Sequence, residues 1–150
     1  MKPLALWKKL HTLPCGKWLF SRALGKKIPY TGSIGSIVEE LEPGYAKVSM
    51  RDRKCVRNHL RSVHAVALMN LAEFTSGLAT IGALPSTLRG ILVGFRIEYL
   101  KKARGKLTAT SRCAVPNTTE RVEHTVEVQI QNADGDTVCR AFATWLIGPA

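Results

Sequence analysis

One carboxylate, Glu73, stands at the centre of the apolar run Val63–Leu84, VHAVALMNLAEFTSGLATIGAL. Burying an ionised carboxylate is expensive unless it is paired, and desolvation raises its pKa. No Lys or Arg lies one helical turn away, because the neighbours at three and four positions are Met69, Asn70, Ser76 and Gly77. A carboxylate in that position suits a general base or a nucleophile. The plainer alternative is a structural carboxylate bonded to backbone or to a second copy of the chain. Just upstream, Asn58-His59-Leu60-Arg61-Ser62-Val63-His64-Ala65 puts polar groups at the entrance of the run. If a helix begins there, free N–H groups around Ala65 and Val66 can stabilise a carbonyl oxygen as it becomes an oxyanion. His64 reads equally as a cap or as catalytic support, and Asn58 alone reads as a turn residue. At about 100° per residue, His64 and Glu73 fall on opposite faces of an ideal helix. If both belong to one site, a second copy of that helix is the simplest route, which suggests a homodimer.

These residues need a frame. The apolar run approaches bilayer-spanning length, but its central charge argues for burial within a soluble domain. Before it, Ile34–Leu41 and Tyr45–Arg51 flank Glu42-Pro43-Gly44 and predict a hairpin. Ala46, Val48 and Met50 share one face of the second strand, with Tyr45, Lys47 and Ser49 on the other. After it, alternation predicts four strands, Ile91–Tyr99, Leu107–Val115, Val122–Ile130 and Thr137–Ile147, the last two joined by Asn132-Ala133-Asp134-Gly135. The order predicts an α+β fold: an antiparallel sheet, ending in a four-strand meander, curved about one long central helix over about 63–84.

A chain of 150 residues, 45% hydrophobic and 22% charged, excludes wholesale disorder, collagen-like repeats and a multispan membrane protein. The 22 Lys+Arg against 11 Asp+Glu give a net charge of +11, which points to a polyanion: nucleic acid, an anionic membrane or a phosphorylated small molecule. Residues 1–38 hold no Asp or Glu, and Lys2, Lys8, Lys9, Lys17, Arg22, Lys26 and Lys27 are interleaved with apolar residues. This predicts a basic arm, 1–27, of two short amphipathic helices, broken near Pro14-Cys15-Gly16 and ended by Gly25. The arm resembles a membrane-surface helix or an organellar presequence, or packs on the domain with its cations in water. Only weak membrane contact is expected of it. A second cluster, Lys101, Lys102, Arg104 and Lys106, could hold phosphates or be a solvated turn. No aromatic platform or motif supports nucleic acid. The four scattered cysteines lack a C-x-x-C pair, and Lys8 and Lys9 interrupt any secretory signal; both suggest reduced thiols in the cytoplasm. Cys55, His59 and His64 match no standard zinc spacing, so no metal is expected. No G-x-S-x-G elbow is present for a serine hydrolase.

Asn58, His64 and Glu73, in a long apolar helix followed by four strands, resemble the hotdog-fold acyl-CoA thioesterases. Val56-Arg57-Asn58-His59-Leu60, Val63-His64-Ala65, Leu71-Ala72-Glu73 and the later Ile97–Gly105 are most similar to the branch called domain of unknown function 4442, over about residues 30–147. The resemblance implies a hotdog domain over 28–150, paired as a homodimer or a dimer of dimers with sites at the interface. It implies that Glu73 of one subunit acts as base or nucleophile on a thioester while Asn58 of the other positions water and substrate. His64 would order the helix start, and the Ala65 N–H would polarise the thioester carbonyl. Lys101, Lys102, Arg104 and Lys106 would meet the phosphates of coenzyme A, which enters as part of the substrate with no separate cofactor. The chain departs from the pattern twice. His64-Ala65-Val66 replaces His-Gly-Gly, and Leu92 stands where a Ser or Thr often assists. These departures keep a non-catalytic acyl- or CoA-binding protein as the alternative.

Overall fold

Alternating apolar side chains in the strands and one almost wholly apolar helix have a single good solution, a sheet curved around the helix. The computed structural model has this form and describes residues 3–114 and 117–150; Met1 and Lys2 of the basic arm, and Val115 of a predicted strand, lie outside the described residues. The strands are β1 (Ile37–Glu42), β2 (Tyr45–Arg51), β3 (Leu88–Tyr99), β4 (Lys106–Arg112), β5 (Val122–Gln131) and β6 (Thr137–Pro149). They form one antiparallel sheet in the order β1-β2-β4-β5-β6-β3. The expected four-strand meander is therefore only β4-β5-β6. β3 crosses to the far edge beyond β6, and β4 pairs with β2 instead, Val48 opposite Ala109. The central helix between β2 and β3 supplies the long connection that this crossover needs.

Helix α4 (Ala65–Thr80), extended by a 3-10 turn over Ile81–Ala83, touches all six strands. Leu71, Ala72 and Ala79 are fully buried, as are Val48, Leu107, Val128 and Ile130 of the sheet. Inside β3 the register slips between Leu92 and Gly94. This bulge reverses the phase, so Leu92, Phe95 and Ile97 pack inward while Ile91 and Val93 stay exposed.

The N-terminal residues form α1 (Pro3–Leu10), α2 (Gly16–Lys27) and the short α3 (Pro29–Ser33). Trp7, Phe20 and Leu24 join the same core as Leu71 and Val48, and the Ser21 Oγ accepts the Val38 N–H at 2.9 Å. Gly25 does not end α2, which continues to Lys27, and residues 29–33, just ahead of the strand expected from Ile34, form a short helix that was not expected. The reason is packing between two glycines. A Cβ on Gly32 would lie 2.5 Å from the Gly25 O and 2.7 Å from the Gly25 Cα. Gly32→Ala is therefore expected to destabilise by about 1–3 kcal/mol, read as a lower Tm in thermal denaturation.

Candidate active site

The helix entrance is built by its own loop. The Asn58 Oδ1 accepts from the Leu60 N at 2.9 Å and from the Ser62 N and Oγ, each at 3.2 Å. The plain turn role expected of Asn58 is thus present, while its Nδ2 donates to nothing among the described residues. Arg57 and Val63 bridge across this loop, and the His64 N–H donates to the Val56 O at 2.8 Å. His64 is extended and precedes the helix as its N-cap, so the helix starts later than position 63. Its Nδ1 accepts the Val66 N–H at 3.1 Å, which puts the ring proton on Nε2. Val66 therefore offers no free donor, contrary to the sequence reading. The Ala65 N–H has no acceptor among the described residues. The Tyr99 hydroxyl, at the end of β3, donates to the Ala65 O at 3.2 Å.

Glu73 lies eight residues along α4 from Ala65, about 12 Å along the helix axis. It sits where two cavities meet. One, of about 310 Å³, is lined by Tyr30, Thr31, Met69, Asn70, Leu92 and Phe95. The other, of about 290 Å³, lies between α4 and the N-terminal helices, lined by Leu24, Ile28, Gly77, Leu78, Ile81 and Trp145. The first cavity also reaches Val66 of the first helical turn, but neither is lined by Asn58, His64 or Ala65. The half-buried carboxylate has no ion-pair or hydrogen-bond partner among the described residues. Burial alone holds it above the usual carboxylate range. Ser76, one turn on, donates to the Glu73 backbone O at 2.8 Å and accepts from the Trp145 Nε1 at 3.3 Å, so it does not serve the carboxylate.

Two residues of this pocket carried little signal in the sequence. The Asn70 Nδ2 donates to the Tyr30 O at 3.1 Å, and its Oδ1 is buried without a partner, one turn before Glu73. The spacing of three from Glu73 was visible, but the contact with Tyr30 depends on α3, which the sequence did not predict.

The basic turn after β3 lies at the helix entrance, because the Val63 N–H donates to the Ala103 O at 2.8 Å. Lys101 pairs with Asp136 at 3.0 Å and Lys106 with Glu39 at 3.6 Å. Lys102 and Arg104 form no ion pair among the described residues. Asp52 anchors the base of the turn by accepting from the Gly105 N at 3.2 Å, and the Arg57 guanidinium holds its carboxyl below the usual range. All four cysteines are free, and burial pushes the Cys139 thiol up to about 11, too high for a nucleophile at neutral pH. No metal-binding cluster occurs among the described residues.

A family model described as Domain of unknown function (DUF4442) matches residues 16–147. A structural-genomics crystal structure superposes with a TM-score of 0.84, at 32% identity and over 99% of both chains. A Pseudomonas aeruginosa protein of unknown function, labelled a probable thioesterase, superposes with a TM-score of 0.76, at 23% identity over 92% of this chain and 97% of that one. A hypothetical thioesterase from Streptococcus pneumoniae, crystallised with coenzyme A, gives a TM-score of 0.69 at 24% identity, over 83% and 97%. These likenesses identify the sheet wrapped around α4 as the hotdog fold. Among curated proteins none matches.

Proposed function

The chain belongs to the DUF4442 family, and from that premise we propose that it hydrolyses an acyl-CoA or a related acyl thioester as a homodimer. The observation that carries the reading is Glu73, a half-buried carboxylate without a partner among the described residues, facing apolar cavities of acyl-chain size. Glu73 takes a proton from water as the water oxygen attacks the thioester carbon, or it attacks that carbon itself and water then cleaves the anhydride. In both routes the C–S bond breaks and the thiol leaves with a proton. The developing oxyanion needs a donor, and the Ala65 N–H at the positive end of α4 is available. His64 fixes that helix start, and Asn58 offers its Nδ2. Lys102 and Arg104, with Lys101 and Lys106 beside them, would hold the CoA phosphates. The coenzyme A in the Streptococcus pneumoniae neighbour supports a ligand of this class.

The distance between Ala65 and Glu73 along α4 favours a site shared by two subunits. The surface for pairing is the edge strand β3, whose outer side has no strand neighbour among the described residues and whose Ile91 and Val93 are 64% and 50% exposed. A long edge with exposed apolar side chains readily adds a second copy. The Ala65 Cβ and the apolar Leu92 favour a second reading, binding without turnover. A thiol-release assay across an acyl-CoA panel separates the two: the thioesterase releases free thiol, whereas a binder gains thermal stability and releases none.

The acyl group lies between α4 and the N-terminal helices. Ile28, 44% exposed, forms part of that wall and can be enlarged without disturbing the core. Ile28→Trp is expected to shift kcat/KM by about tenfold in favour of short acyl groups over long ones. An unchanged chain-length profile would move the acyl site elsewhere.

A further inference from the structure

The proposed hydrolysis leaves the cations of the N-terminal helices without a role. Trp18, Arg22 and Lys26 follow one another at four-residue spacing on α2 and line one wall of a groove of about 460 Å³. The facing wall carries Ser33, Ser36 and Arg53 around Gly35. The Arg53 Nη2 donates to the Ile34 O at 2.7 Å, and a Cβ on Gly35, at φ +61°, would lie 2.4 Å from that nitrogen. The guanidinium is thus fixed over the turn, with most of its five donors still uncommitted. Arg22 is steadied by the Trp18 ring, 6.0 Å from its centroid. No Asp or Glu lines the groove, and Arg22, Lys26 and Arg53 form no ion pair among the described residues. Glu39 and Asp52, the acids nearest in sequence to Ser36 and Arg53, are engaged elsewhere, Glu39 with Lys17 at 3.8 Å and Lys106 at 3.6 Å, and Asp52 with Arg57 at 2.6 Å, while Glu73, next to Phe74, lines the two apolar cavities and not this groove.

Three cations around one concavity repel one another unless an anion sits between them. Two guanidiniums offer planar forks and the ammonium a point charge, a donor set that matches a phosphate group. We propose that this groove is a phosphate-binding site. None of Lys101–Lys106 lines this groove, which meets α4 at Phe74, whereas the basic turn packs at the N-terminus of α4. The phosphate belongs either to a soluble ligand or to a lipid headgroup, and the chemistry of the site is the same for both.

The test measures binding alone, so its failure leaves the thioesterase reading standing. The full-length protein at low salt is titrated with inorganic phosphate, and separately with phosphatidylcholine vesicles with or without phosphatidylglycerol. Arg22→Ala/Lys26→Ala is compared with Lys8→Ala/Lys9→Ala, which removes the same charge from exposed positions of α1. The expected result is saturable binding, weakened at least about tenfold by the groove variant and less than about twofold by the α1 variant. Saturable binding of inorganic phosphate assigns a soluble ligand. Binding only to vesicles that contain phosphatidylglycerol assigns a lipid headgroup. Equal weakening by both variants, full binding by the groove variant, or no binding of either probe overturns the proposal.

Discussion

Glu73→Gln is expected to stop thiol release, lowering kcat by about 10²–10⁴-fold, while making the folded protein more stable at neutral pH. The two effects have one cause. Burial holds the Glu73 carboxyl above its ordinary value of 4.5, with no cation to offset it. Between the unfolded and folded pKa values the native state binds more protons, so stability falls as pH rises from about 4.5 through the raised value. Glutamine keeps the shape and removes the charge, so the fall disappears. At neutral pH the Tm is expected to rise by about 2 °C or more. A purely structural carboxylate predicts the opposite sign, because removing a paired charge would lower the Tm. On the thioesterase reading the same group is expected to set the acid limb of the wild-type pH–rate profile, with kcat climbing through a pKa above that of an exposed glutamate.

Ala65→Pro isolates the second half of the site. Proline at the first helical position removes only the Ala65 N–H, which has no acceptor among the described residues, and its fixed φ suits a helix start. His64 before it is already extended, at ψ 140°, as a residue preceding proline must be. The fold should therefore tolerate the change, with the Tm unchanged or higher. If this N–H stabilises the oxyanion, kcat falls by about 10²–10³-fold. Full activity in a stable Ala65→Pro protein would remove the helix entrance from the mechanism.

The central helix, the β1–β2 hairpin and the exceptional position of Glu73 were legible because hydrophobic periodicity is a local property of the chain. The place of β3 was not, since a strand's neighbours depend on which edge remains open after β2, β4, β5 and β6 have paired. The bulge at Val93 also reversed the inward face that simple alternation suggests. Residues 29–33 were missed for a related reason. Their helix exists because Gly32 packs against Gly25, a contact that spacing alone does not announce. At the site, His64 as a cap and Asn58 as a loop organiser were both among the sequence readings. That the His64 ring would occupy the Val66 N–H, leaving Ala65 as the available donor, needed the backbone geometry.

The central claim is that Glu73 of one subunit works with the helix entrance of the other. Mixing subunits tests it most directly. Glu73→Gln and Ala65→Pro chains, each inactive as a homodimer, are co-refolded, and thiol release from an acyl-CoA is measured on the mixture. About half the randomly paired dimers are hybrids, and each hybrid holds one site with both native groups, so about a quarter of wild-type activity should return. Hybrid dimers that form, as shown by mass, yet release no thiol would contradict the account.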